Sequence, residues 1–324
     1  MGRIRNMFGN HNEWKDFHLR NNKASFYHIE SKRDFDKTKI AIISITVLSV
    51  FILVVVTIMI VTFTMQKDNE YKEYQAQMQQ MQQEEQEKKM QQEAEEQKAK
   101  QAKLPNLTQQ GMENMQHIYH SDTKRVFLTF DDGPSKNTST ILDYLKQEAI
   151  KVTFFELGAR VEAKPELVKR AYDEGHYIAS HGYSHVYSQI YASTQSVLDE
   201  YNQCVQVIRN AIGEPTYDPH LFRFPGGTPG GPYADLKAEA KQLLIENKVL
   251  SVDWNALSGD AEGNNRPVEE MMSRLEETVG NKNSVVLLMH DAQTKTTTVE
   301  ALPHIVAFFR DRGYEFTNFY EIIK

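Results

Sequence analysis

Five times in the last two thirds of this chain, a short run of strand-forming residues ends in a turn carrying acids, histidines or an arginine. The pieces are Thr129-Phe130-Asp131-Asp132-Gly133, His181-Gly182-Tyr183-Ser184-His185, Arg223-Phe224-Pro225-Gly226-Gly227, Asp253-Trp254-Asn255 and Leu288-Met289-His290-Asp291. Around them, apolar runs alternate with helical patterns. Strands are expected at 125–130, 152–155, 177–179, 249–252, 284–289 and 314–316. Helices are expected at 138–146, 165–174, 194–212, 233–247, 268–279 and 299–310. Pro165 near one helix start and Gly175 after its end are the usual punctuation. Alternation over roughly 200 residues predicts an α/β fold, a parallel sheet wrapped by helices. Reactive residues just after strands sit where a (β/α) barrel assembles its site. An open doubly wound sheet would put its crevice in the same place.

The 324 residues leave room for one large domain plus extensions, or for two modest domains. A formal charge of −7 with no basic patch gives no nucleic-acid footprint. The single cysteine, Cys204, excludes an intramolecular disulfide. It shares a helical pattern with Tyr201, Val205, Ile208 and Ile212, so it reads as a small core residue.

From residue 40 to residue 65 there is no charged side chain. About 26 residues make roughly 39 Å of helix, more than the roughly 30 Å hydrocarbon core needs. The run exceeds the apolar region of a signal peptide, and it ends in Thr64-Met65-Gln66-Lys67 without a small-residue cleavage site. A retained transmembrane helix is expected. Lys32, Arg33, Lys37 and Lys39 flank its N-terminal side, so residues 1–39 are expected in the cytoplasm and the rest outside a cell membrane. Residues 66–119 read as a Gln/Glu/Lys-rich stalk and linker before an outer domain at 120–324. Tyr71, Tyr74, Met78 and Met81 follow heptad spacing, but Glu85 and Lys88 break the seam. Weak dimerisation through the stalk therefore stands beside a solvated helical or partly disordered spacer.

Asp131 and Asp132 end a strand side by side, so one can bind a cation while the other takes a proton. Asp-Asp-Gly-Pro is also good turn chemistry by itself. His181 and His185, four apart, can converge on one metal if the segment turns like a helix. With an aspartate they describe a His₂-carboxylate site that keeps a position for water. Arg223, between Phe222 and Phe224, is expected to point at a partner carboxylate. Gly226 and Gly227 let a ligand approach backbone N–H groups able to hold an oxyanion. His290 follows the most apolar strand of the domain and becomes the candidate general acid. Together these suit hydrolysis of an amide or ester: Asp132, His181 and His185 hold the metal, Asp131 takes water's proton, and His290 protonates the leaving nitrogen.

Over residues 120–324 these five ordered motifs resemble the polysaccharide deacetylase family, also known as carbohydrate esterase family four. The resemblance implies a distorted (β/α) barrel and a divalent metal, usually zinc, held by an Asp-His-His triad. Cobalt, nickel or manganese also suit such donors. It implies removal of N-acetyl groups from polymeric amino sugars, with Asp131 as base, His290 as acid and Arg223 as the partner of Asp131. Trp254 and Gly226 fall on its substrate-side motifs. Three positions depart from the family pattern. Gly182 stands where Ser or Thr is usual, Gly226 replaces a tyrosine, and the fourth motif is altered, so either Asp260 or Asp253 supports His290. With an anchor and spacer, the expected protein is a membrane-anchored bacterial peptidoglycan deacetylase. A deacetylase of exopolysaccharide or chitin-type oligomers, or a non-catalytic wall-binding scaffold, stands as the alternative.

Overall fold

The computed structural model describes residues 46, 49, 50, 52–56, 78–92, 104–263 and 265–323. The chain divides into two units, Met1–Glu93 and Ala94–Lys324. In the first, residues 46, 49, 50, 52–56 and 78–92 are helical. The expected cytoplasmic tail, most of the expected span at 40–65, and the heptad residues Tyr71 and Tyr74 lie outside the described residues. Among the described residues no helix is long and apolar enough to cross a membrane.

The second unit opens with helix α1 (Gln109–Gln116) and then alternates. The order is β1 (Arg125–Gly133), α2 (Thr138–Gln147), β2 (Thr153–Glu156), α3 (Gly158–Ala163), α4 (Pro165–Asp173), β3 (Tyr177–Ser180), α5 (Tyr187–Ile190) and α6 (Thr194–Ile212). There follow β4 (Leu221–Phe222), α7 (Ala234–Glu246), β5 (Leu250–Ser251), β6 (Ala256–Leu257), α8 (Val268–Val279), β7 (Ser284–His290), α9 (Thr296–Asp311), β8 (Glu315–Thr317) and a 3₁₀ turn at Phe319–Glu321. The expected strands and helices all appear. The additions are α1, α3, α5, β4 and β6, most of them too short to print a period on the sequence.

Every strand pairing is parallel, and the sheet runs β5-β4-β3-β2-β1-β7-β6. β1 and β7 are neighbours within it, and both are buried along nearly their whole length. Helices cover the sheet, so these strands read as continuous apolar runs rather than alternating ones. β8 pairs with Arg125–Phe127 at the start of β1, while β2 pairs with Thr129–Gly133 at its end. The path ends at β5 and β6 without pairing them. The result is a parallel half-barrel, consistent with the expected distorted (β/α) barrel and open at that seam.

Helix α6 shows why the outer layer forms. Ser193 accepts a hydrogen bond from the Ser196 N–H at 3.0 Å at one end, and Gly213 at φ +75° ends the helix at the other. Val197, Tyr201, Cys204, Val205, Ile208 and Ile212 form its buried stripe. Burial pushes the Cys204 thiol up to about 12, so it is an inert core group, as expected. Helix α1 lies inside the segment expected as linker. Its Met115 and the following Ile118 nevertheless pack with Phe127, Phe155, Phe319, Ile322 and Ile323 in one apolar cluster.

Candidate metal and catalytic site

Because every strand is parallel, their C-terminal ends share one rim, and the motif residues arrive there together. Asp131 and His290 are register partners on β1 and β7, so the two sit side by side. Asp132 follows Asp131 in the left-handed region (φ +67°), which turns consecutive carboxylates in different directions.

His181 directly follows β3. Its Nδ1 meets the Arg223 carbonyl oxygen at 2.8 Å, which turns Nε2 toward the aspartates. That Nε2 lies 3.7 Å from Asp132 Oδ1 and 3.8 Å from Asp131 Oδ2. His185 Nε2 lies 3.4 Å from the same Asp132 oxygen. The segment between the histidines is not helical, contrary to the condition attached to their spacing. It reverses instead, through positive φ at Gly182 (88°) and His185 (58°), which brings the two rings to 5.4 Å. Glu200 of α6 holds the reversal. It accepts from the Tyr183 and Ser184 N–H groups at 2.5 and 2.7 Å and from the Ser184 hydroxyl at 2.5 Å. The usual Ser or Thr at 182 would set a Cβ 3.0 Å from Ile190 and 3.2 Å from Glu200. Glycine is therefore the residue this reversal requires.

Asp132, His181 and His185 each offer one ligand atom, all within 4.8 Å of one another. Asp132 Oδ1 is buried and has no hydrogen-bond partner among the described residues. Burial works to raise the Asp132 carboxyl, but His181, His185, His290 and Arg160 outweigh it and hold it below the usual carboxylate range. Burial also lowers His181, against the pull of Asp131 and Asp132. An orphaned buried carboxylate oxygen is costly unless a cation sits there. The three residues fit a divalent metal.

Arg223, fully buried, braces Asp131. Its Nη1 donates to Asp131 Oδ1 at 2.8 Å and to Thr129 Oγ1 at 2.6 Å. Its Nε and Nη2 donate to the carbonyls of Val252 and Asp253 at 3.2 and 3.1 Å. The guanidinium lies over the Phe155 ring, 4.0 Å from its centroid.

Of the two aspartates left open for His290, Asp260 is the one that pairs with it. Asp260 Oδ1 lies 2.9 Å from His290 Nδ1, and Oδ2 accepts from the His290 N–H at 2.7 Å and the Thr298 hydroxyl at 2.9 Å. Burial opposes the charged ring, but the bond to Asp260, helped by the charges of Asp260, Asp131 and Asp132, lifts His290 to about 9. Asp253 serves a different end. Its Oδ1 accepts from the Thr228 N–H and hydroxyl at 2.8 and 3.1 Å, which pins the glycine-rich loop.

Gly226 and Gly227 have φ of +77° and +74°. Lys237, a buried residue of α7, donates to the Gly227 carbonyl at 2.7 Å. Trp254 is half-buried against Gly227, where a Cβ would lie 2.9 Å from its ring. Gly133 is equally confined, since a Cβ there would meet Glu156 at 2.6 Å and Asp291 at 3.0 Å. Burial raises both acids, Glu156 well above its ordinary value and Asp291 to about 6. Glu156 and Glu200 carried no signal in the sequence, because each lies in an ordinary strand or helix pattern.

The family model for polysaccharide deacetylase matches residues 119–246. Over 203 residues the chain is 34% identical to a peptidoglycan-N-acetylglucosamine deacetylase of Bacillus cereus, covering 62% of this chain and 71% of that protein. It is 32% identical over 200 residues to a peptidoglycan-N-acetylglucosamine deacetylase of Listeria monocytogenes, covering 61% of this chain but only 39% of that protein. Among solved structures, a CE4 esterase of Streptococcus mutans superposes with a TM-score of 0.58 at 31% identity, covering 65% of this chain and 92% of that one. In sequence and in fold, this chain belongs to the polysaccharide deacetylase family.

Proposed function

We propose that this protein is a metal-dependent hydrolase that removes N-acetyl groups from amino sugars of peptidoglycan, either N-acetylglucosamine or N-acetylmuramic acid. The observation that carries the reading is the pair of braced groups at the rim. Arg223 holds Asp131, and Asp260 holds His290, on neighbouring strands beside the Asp132–His181–His185 cluster. The substrate class follows the names of the relatives, which are peptidoglycan deacetylases.

Asp132, His181 and His185 would hold the cation, for which zinc is our choice on the donor set; Co²⁺, Ni²⁺ and Mn²⁺ suit the same donors. Bound there, it would polarise the acetamide carbonyl and acidify water. Asp131, fixed by Arg223, takes the proton from the attacking water. The N–H of the exposed Gly226 donates to the oxygen that gains charge at the carbonyl carbon. His290, charged through Asp260, gives its proton to the nitrogen as the C–N bond breaks. Acetate and a free amino sugar leave.

We infer further that residues 40–65 anchor the protein in the cell membrane, with residues 1–39 inside and the second unit outside. The charge-free run and its lysine-rich flank support this. Protease added to intact cells should remove the second unit and spare the first 39 residues.

The deciding experiment incubates the full chain with fully acetylated peptidoglycan, with chelator, and with zinc restored. Mass spectrometry of the digested glycan should show zinc-dependent loss of acetyl groups, and fragmentation identifies the sugar. Deacetylation of chitin-type oligomers alone would move the assignment to another polysaccharide. A protein that binds no metal and releases no acetate would be a scaffold.

A further inference from the structure

Gly226 and Gly227 are walled in by rings from other parts of the chain rather than by side chains of their own. A Cβ at Gly226 would lie 2.5 Å from the Tyr187 hydroxyl, as one at Gly227 would meet Trp254. Tyr187 opens α5, two residues beyond the candidate ligand His185, whose ring it meets at 5.8 Å. Tyr191 and Tyr233 hold its other sides, with centroids at 5.5 and 6.3 Å. Tyr191 is itself fixed, since its hydroxyl donates to the Pro225 carbonyl at 2.6 Å. Despite this packing Tyr187 remains 40% exposed.

A ring held by its neighbours, still open to solvent and set beside the candidate metal ligands, is a built surface for the apolar face of a sugar. Tyrosine suits that task because it offers a large amphipathic face and has little rotamer entropy to lose. The position left bare by Gly226 is thereby filled from the histidine loop. We propose that Tyr187 is a substrate-positioning residue, the wall against which the sugar bearing the scissile acetamide is set. This rests on the deacetylase reading above.

The test uses the zinc-loaded full chain and a soluble, fully acetylated chitin-type pentamer, with soluble peptidoglycan strands as second substrate. Tyr187→Ala should raise KM about tenfold and change kcat less than about threefold. Bound zinc and melting temperature should match the wild type. Tyr187→Leu fills the space beside Tyr191 and Tyr233 without an aromatic face, so it should raise KM to a similar degree. Tyr187→Phe keeps the ring and should stay within about threefold. Unchanged KM in both the alanine and leucine variants would overturn the proposal. So would activity losses that track lost zinc or a lowered melting temperature, which would leave Tyr187 a structural support. A wild-type protein that deacetylates neither glycan removes the deacetylase reading along with this one. An active wild type with unchanged KM in the variants removes this one alone.

Discussion

His290 and Asp131 show how one rim keeps an acid and a base apart in role. Asp260 gives His290 two carboxylate contacts and lifts its titration to about 9. Since the folded value lies above the ordinary 6.5, the charged pair stabilises the fold fully below about pH 6.5. That contribution is lost as pH rises through about 9. NMR of the metal-free protein should find His290 titrating near 9. In Asp260→Asn, burial opposes only the charges of Asp131 and Asp132 and should bring the titration well below 9; an unmoved titration would remove Asp260 from this role. Asp131→Asn should leave fold and metal content intact while acetate release drops by at least about 100-fold. A variant with near-full activity would end the case for Asp131 as base. At this scale the sequence was informative wherever chemistry falls on a strand end, as at Asp131, Arg223 and His290. It was silent where a supporting side chain sits in a regular element. Glu200 reads as one more acid on a helix, and Tyr187 as one more tyrosine.

The elements that the sequence showed plainly are the long ones. Strand 284–290 and helix 194–212 carry enough buried positions to print a period. β4 and β6 have two residues each and no pattern to read, although β4 is what delivers Arg223. The histidine loop was misjudged for a related reason. H-x-x-x-H suggests one helical turn, but Gly182 makes a left-handed reversal available at no steric cost. That reversal is held by three hydrogen bonds to Glu200. Glu200→Ala should therefore weaken zinc binding by about 10–100-fold in a chelator competition while shifting the melting temperature little. Unaltered affinity would mean that the loop holds its shape without this carboxylate.

Across the whole second unit, stability draws on residues that the expected outline left at its margins. Phe319 lies 5.0 Å from Phe127, 6.2 Å from Tyr177 and 6.3 Å from Phe155, in the cluster that also takes Met115 and Ile118. Phe319→Ala should cost roughly 3–5 kcal/mol in urea unfolding. A loss below about 1 kcal/mol would mean that this cluster contributes little to the unit. The parallel order of the sheet was legible from alternation, but its open seam was not, because two-residue strands leave no trace of what they fail to pair with. At that seam, between β5 and β6, the backbone carbonyls of Val252 and Asp253 are tied by Arg223, the residue that also grips Asp131. One guanidinium thus ties the seam backbone to the proposed base. A saturation library at position 223 should contain no well-folded but inactive members. A lineage of this architecture drifting toward a silent binding role would have to begin elsewhere, at Asp132 or the histidines, where activity can be lost and the scaffold kept.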